Sequence, residues 1–153
     1  MIALIAAVDK NNGIGYKNEL LYDIPEDKKL FRELTLGKVV IMGRKTWLSL
    51  PRKPLPGRTN VVVSRHTISL RKALELYKDK DICIIGGGKV YKQAMRYADI
   101  IHLTLVLDDK KEADTFFPEI PKDFYKAEEA FPVSNQYAEI PIIYQIWKRR
   151  HKK

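Results

Sequence analysis

Four short apolar runs, each ending in a turn, constrain this chain more than any other feature. Residues 2–8, 39–42, 60–65 and 81–85 are rich in β-prone side chains. Continuous apolar runs of that length suit strands buried on both faces, as in a parallel sheet. Between them lie helical patterns: about 25–34, a short one opening at Arg44, one capped by Ser69 and running to about 77, and one after Gly88. Further on only strands remain, over 100–107, 124–130 and 142–148. The expected architecture is a single α/β domain over 1–153. It holds a central, mostly parallel mixed sheet of about seven or eight strands with an antiparallel C-terminal edge, flanked by about four helices. Residues 38–80 form a candidate subdomain.

The first helix carries the most informative side chain. Ile24-Pro25 reads as an extended entry and a helix start, because proline disfavours helical geometry before it and fits the first turn. Glu26 and Asp27 then fall where the helix dipole favours a carboxylate. Asp27, Leu30 and Phe31 share a face, so an acid sits beside two apolar side chains. Two readings stand open. Asp27 is either a dipole-compensating surface acid or a carboxylate at the floor of an apolar pocket, gripping an amidine-like ligand.

Composition narrows the setting. Charged residues make up 31% and hydrophobic ones 45% of the chain, which suits a soluble globular protein. A single cysteine, Cys83, leaves no intramolecular disulfide to form and points to a reducing compartment, hence a cytoplasmic protein. No apolar run reaches membrane-spanning length. The net charge of +9 fits nucleic acid, an acidic small ligand or plain solubility. The densest basic cluster is the tail from Lys148 to Lys153, expected to be frayed. No finger spacing or interleaved aromatic-basic strand accompanies it, so no nucleic-acid partner is expected.

Three strand ends carry elements suited to phosphate. Gly43-Arg44-Lys45-Thr46 opens a helix, Ser64-Arg65 ends a strand, and Gly86-Gly87-Gly88-Lys89 links a strand to a helix. Taken alone, the first is equally a plain strand-to-helix turn. The last matches neither the P-loop, which needs Ser or Thr where Val90 stands, nor the dinucleotide fingerprint, which needs Gly at Tyr91. Its glycines nonetheless allow close backbone approach to a ligand, and ligands favour the carboxyl ends of strands in open α/β sheets. The basic side chains suit a cofactor with an extra phosphate, NADPH rather than NADH. With Asp27 in an apolar pocket, the residues describe a nicotinamide-dependent reductase of a small nitrogen heterocycle.

The order of segments then resembles dihydrofolate reductase over nearly the whole chain. The carrying segments are Leu4-Ile5-Ala6-Ala7-Val8, Gly13-Ile14-Gly15, Ile24-Pro25-Glu26-Asp27, Val40-Ile41-Met42-Gly43-Arg44-Lys45-Thr46-Trp47, Leu55-Pro56-Gly57-Arg58, Ile85-Gly86-Gly87-Gly88-Lys89-Val90-Tyr91 and Asp114-Thr115-Phe116-Phe117-Pro118. The resemblance implies hydride transfer from NADPH to the C6 of dihydrofolate, with a proton reaching N5. It implies Asp27 as the carboxylate that binds the pterin, supported by Thr115, with Tyr22 as a third catalytic residue. Ile5, Ala6, Ala7, Lys28, Phe31, Leu50, Ile85 and Tyr91 would complete the substrate site, and Arg58 would pair the glutamate carboxylate. Ala7, Ile14, Gly15, Gly43, Arg44, Lys45, Thr46, Ser64, Arg65, Ile85, Gly86, Gly87, Gly88, Lys89, Val90 and Tyr91 would hold the cofactor, with Gly86-Gly87 as a cis peptide. No metal is implied, residues 9–23 would form a mobile lid, and a monomer is expected.

The chain also departs from the family pattern. Leu21-Tyr22 stands where Pro-Trp is usual, and Lys28 where an apolar residue is usual. The segment between Arg65 and Ser69 is short, so an edge strand beside the adenosine is expected to be lacking there. Burial should raise the Asp27 pKa and the helix N-terminus should lower it, an order the sequence leaves open. The rival readings are an NADPH-dependent pyrimidine reductase of flavin biosynthesis and a basic nucleic-acid-binding module.

Overall fold

A computed structural model describes residues 1–131 and 140–150, so residues 151–153 of the basic tail lie outside it. In chain order the strands are β1 (Ile2–Val8), β2 (Gly13–Tyr16), β3 (Glu19–Leu20), β4 (Val39–Gly43), β5 (Thr59–Val63), β6 (Ile82–Ile84), β7 (Ile100–Val106), β8 (Thr115–Phe116), β9 (Phe124–Ala130) and β10 (Ile142–Arg149). The helices are α1 (Pro25–Thr35), α2 (Arg44–Ser49), α3 (Leu70–Leu76) and α4 (Gly88–Ala94), the last followed by a 3-10 turn over Met95–Tyr97. Among the described residues no helix is long and apolar enough to cross a membrane.

Seven strands form the main sheet in the order β5-β4-β6-β1-β7-β10-β9. The first five run parallel, and β10 then pairs antiparallel with both β7 and β9. This is the expected mixed sheet with its antiparallel edge. Strand alternation divides the apolar residues into two cores. Leu4, Ala6, Val8, Ile41 and Ile84 face α3 and α4 in one, while Ile5, Val40, Met42 and Cys83 face Phe31, Leu34 and Leu50 in the other. The second of these faces packs against α1.

Local chemistry sets the ends of α1. Ile24 is extended (φ −111°, ψ 116°) and Pro25 takes the first helical position. At the other end the Leu36 N–H bonds the Arg32 carbonyl at 3.0 Å, and Gly37 turns out with φ +77°. The edge beside β5 carries a single bridge, Val63 to Ile68, where a further strand would sit. Ser64 folds back there, its N–H bonding the Ile68 carbonyl at 3.1 Å, so the strand stops at Val63 and Ser64-Arg65 belongs to the following turn.

The segment expected as a mobile lid holds a hairpin. β2 and β3 form a hairpin whose turn residues, Lys17 and Asn18, both have positive φ, and β8 pairs with the other edge of β2. The buried Asp9 carboxylate anchors its base, accepting from the N–H groups of Asn11 (2.8 Å) and Gly13 (2.7 Å).

Candidate active site

Helix periodicity aims Asp27, Phe31 and Leu34 at the sheet, and the strand beneath supplies a partner. The Thr104 hydroxyl donates to Asp27 Oδ1 at 2.7 Å. Thr104 is buried on β7, directly beside Ala7 of β1. Burial raises the Asp27 pKa above the usual carboxylate value, and the Thr104 hydrogen bond opposes that shift without cancelling it. Thr104, not Thr115, is thus the threonine that supports the acid. Thr115 lies on β8, bonds Asp114 Oδ1 at 2.9 Å, and pairs with Gly15, which places it at the rim of the neighbouring cleft.

The apolar wall assembles mostly as expected. Ile5, Phe31, Leu50 and Ile85 pack in one cluster, and Trp47, Leu55 and Leu34 join them. Ala6 does not face this wall. It alternates to the opposite core with Leu4 and Val8, as a period of two requires. Tyr91 is also in that opposite core, fully buried, with its hydroxyl on the Ile5 carbonyl at 2.6 Å and its ring 4.9 Å from Phe117. It reaches the ligand side only from beneath the glycine turn.

Two expected site residues turn elsewhere. Lys28 is exposed and ion-pairs with Asp23, because one helical step rotates it away from the Asp27 face. Tyr22 donates its hydroxyl to Asp108 at 2.6 Å while the Lys111 ammonium lies 4.6 Å from its ring centre. Burial and that bond hold the Tyr22 phenol well above its ordinary pKa. Tyr22 therefore ties the end of the lid to the segment after β7.

Arg58 sits at the outer end of the wall. Its Nε donates to the Pro56 carbonyl at 2.9 Å and its Nη1 to the Thr35 hydroxyl at 3.1 Å. Both bonds fix the guanidinium plane, which an incoming carboxylate can then meet without ordering a free side chain. Arg32 lies close enough for its charge to lower the Arg58 pKa, behind the larger effect of burial.

Beside this wall runs a cleft of about 1020 Å³ across the carboxyl ends of the parallel strands. Ala7, Ile14, Gly15, Gly43, Arg44, Lys45, Thr46, Ser64, Arg65, Ile85, Gly86, Gly87, Gly88, Lys89, Val90 and Tyr91 all line it. Asn18, Leu20 and Gln93 line it too and were not legible in the sequence, because the hairpin and α4 place them. The Gly86-Gly87 peptide is cis, and Gly86 has φ +127°, which only glycine adopts readily. A side chain on Gly43 would meet Val90 Cγ2 at 3.0 Å, because the Gly43 N–H bonds the Gly86 carbonyl at 2.8 Å. Glycines thus keep the cleft floor as bare backbone, while Arg44, Lys45, Arg65 and Lys89 make its rim basic. This donor set fits an extended phosphorylated dinucleotide.

A parallel sheet with a basic, glycine-floored cleft at its strand ends, next to a half-buried carboxylate, defines a dinucleotide-dependent α/β enzyme. The family model for dihydrofolate reductase matches residues 1–149. The chain is 45% identical over 139 residues to a dihydrofolate reductase of Neisseria meningitidis serogroup B, spanning 84% of this chain and 85% of that one. It is 44% identical over 130 residues to a dihydrofolate reductase type 3 of Salmonella typhimurium, spanning 78% and 79%. In three dimensions it is similar to the Enterococcus faecalis dihydrofolate reductase solved with NADP(H) and RAB-propyl, with a TM-score of 0.89, 27% identity, and 99% and 97% of the two chains covered. The chain belongs to the dihydrofolate reductase family. That membership replaces both rival readings of its function.

Proposed function

We propose that the chain reduces 7,8-dihydrofolate to tetrahydrofolate with NADPH, and that Asp27 is the residue on which the pterin is fixed. The observation that carries this reading is the Thr104-oriented carboxylate of Asp27 beside the apolar wall of Ile5, Phe31, Leu50 and Ile85. One Asp27 oxygen takes the Thr104 hydroxyl, and the pair of oxygens matches the parallel donors of the pterin 2-amino group and adjacent ring nitrogen. The apolar side chains hold the flat ring and exclude water from it. Arg58, already held by Pro56 and Thr35, receives the glutamate carboxylate. NADPH supplies the hydride.

This chain's residues do the positioning. The bare backbone at Gly86-Gly87 and Gly43, with Ala7 and Ile14, would hold the nicotinamide end of the cofactor. Arg44, Lys45, Ser64 and Arg65 take the phosphates and adenosine, with residues 38–80 as the segment that carries this end. Asp27 raises the affinity of the bound pterin for a proton by its field and through water, so that N5 is protonated as the hydride arrives at C6. The β2–β3 hairpin closes over the ring. We assign the protein to the cytoplasm, consistent with its one free, buried cysteine, and take it to act as a monomer.

The test is turnover of dihydrofolate by Asp27→Asn with NADPH, with NADH alongside. A fall of about 10²-fold or more at neutral pH is expected, together with a strong preference for NADPH in the parent protein. Parent-like turnover by Asp27→Asn would sink the assignment.

A further inference from the structure

Around α1, Asp27, Phe31 and Leu34 point to the apolar wall, while Glu26 and Glu33 lie about a quarter turn or more from Asp27 and Leu30 falls between, about 60° from it. Glu26, Leu30 and Glu33 line a separate cavity of about 470 Å³ behind the carboxylate, and Asp27 lines it too. Among the described residues, none lines both this cavity and the cofactor cleft. The cavity floor is one cross-strand row of the sheet. Thr104 pairs with Tyr144 and Tyr144 with Ala130, and all three line it. In β1 the same row continues to Ala7, which lines the cleft. Asp27 and Thr104 line this cavity, and none of Ile5, Phe31, Leu50 and Ile85 of the apolar wall does.

We propose that this rear cavity is a second aqueous entrance to Asp27, keeping the carboxylate hydrated and in proton exchange with solvent while substrate and cofactor fill the front. The proposal rests on the reading of Asp27 as the pterin-binding acid. Its outer wall supports it, because exposed Lys29, Glu33 and Ala130 open the cavity to water. Asp27 retains an oxygen besides the one bonded to Thr104, and a cavity hydronium can give its proton to the carboxylate and remain as water.

The other groups that face this system do not replace that water. On α1, Glu26, Lys29 and Glu33 line the cavity. From β10, Tyr144 is held up to about 12 by burial, and it is bonded to His102 of β7, which burial holds down at about 4. Tyr91, from α4, is committed to the Ile5 carbonyl. Near neutral pH these three are uncharged, so water is the group left to solvate the acid.

The test fills the cavity without touching the cleft. Leu30→Trp and Ala130→Leu add apolar volume from opposite walls, and Leu30→Gln adds polar volume. The readout is the ¹³C carboxyl titration of Asp27, in the free protein and with the oxidised cofactor and folate bound. Either apolar filler should raise the midpoint by about one pH unit, a tenfold change in proton affinity, while Leu30→Gln leaves it near the parent value. Cofactor affinity by fluorescence should not change. In the parent, Asp27 should still titrate with the front filled. An unchanged midpoint in a folded Leu30→Trp or Ala130→Leu protein overturns the proposal, and having variants on two walls keeps it testable if one fails to fold. The Asp27→Asn turnover assay reports separately on the acid's role, so either reading can fail without the other.

Discussion

The Thr104 hydroxyl sits 2.7 Å from Asp27 Oδ1, joining residues 77 positions apart in sequence and tying β7 to α1 at the carboxylate. Thr104→Val keeps the shape and removes the donor. A half-buried carboxylate then loses a hydrogen bond, at a cost of about 1 kcal/mol in folding stability near neutral pH. Because the Thr104 bond lowers the Asp27 pKa, its loss moves the acid limb of the rate profile to higher pH. Urea denaturation and a pH series of kcat/KM check both effects. Thr115→Val should leave that limb in place, since Thr115 bonds Asp114.

Asp27 itself carries a stability cost. Its pKa in the folded protein lies above the ordinary carboxyl value, so the folded state binds the proton more tightly than the unfolded one. Its contribution is most favourable below the unfolded value, and that stability is lost as pH rises through the folded value. Asp27→Asn should therefore be more stable than the parent near neutral pH, with the gain shrinking as pH falls through the folded value and gone below about pH 4. Thermal melts at the two pH values read this directly. A variant that is more stable and less active is the signature of an acid kept for chemistry.

Much of this site was legible because helix and strand periods are local. The places of Asp27, Phe31, the Gly86 turn and Arg44 follow from spacing and from the order of strands. Lys28 and Ala6 were expected in the substrate site and lie outside it, since one step along a helix or strand turns each away from its neighbour's face. Thr104 was harder to see. Its signal was the polar alternation of His102 and Thr104 within an apolar strand, and only the β1–β7 register sets Thr104 beside Ala7. The Tyr22 bond to Asp108, 86 positions away, and the exposure of Ala130 beside Tyr144 depend equally on pairing that no local window contains.

Arg58 offers a clean split between binding and chemistry. Two backbone and side-chain acceptors already orient its guanidinium, so Arg58→Lys keeps the charge and loses the planar fork. KM for dihydrofolate should rise about tenfold or more, with kcat little changed. A dihydropterin lacking the glutamate should show no difference between the two proteins. Steady-state kinetics with both substrates decide the matter, and an equal loss on both would remove Arg58 from the carboxylate site.

The glycine floor can be tested against a glycine of similar geometry elsewhere. Gly86 and Gly37 both have positive φ, +127° and +77°. An added Cβ at Gly86 would meet Thr46 Oγ1 at 3.3 Å and Tyr91 Oη at 3.4 Å, whereas Gly37 has nothing within 4 Å. Either alanine substitution is strained and should cost about 1–3 kcal/mol in urea denaturation. Only Gly86→Ala changes the cleft, since its side chain would push on Tyr91, whose hydroxyl bonds the Ile5 carbonyl. NADPH affinity by fluorescence titration should fall about tenfold or more in Gly86→Ala and stay at the parent value in Gly37→Ala. Equal cofactor affinity in the two would mean that the glycine serves the turn alone, and that the cleft tolerates a side chain where the bare backbone now lies.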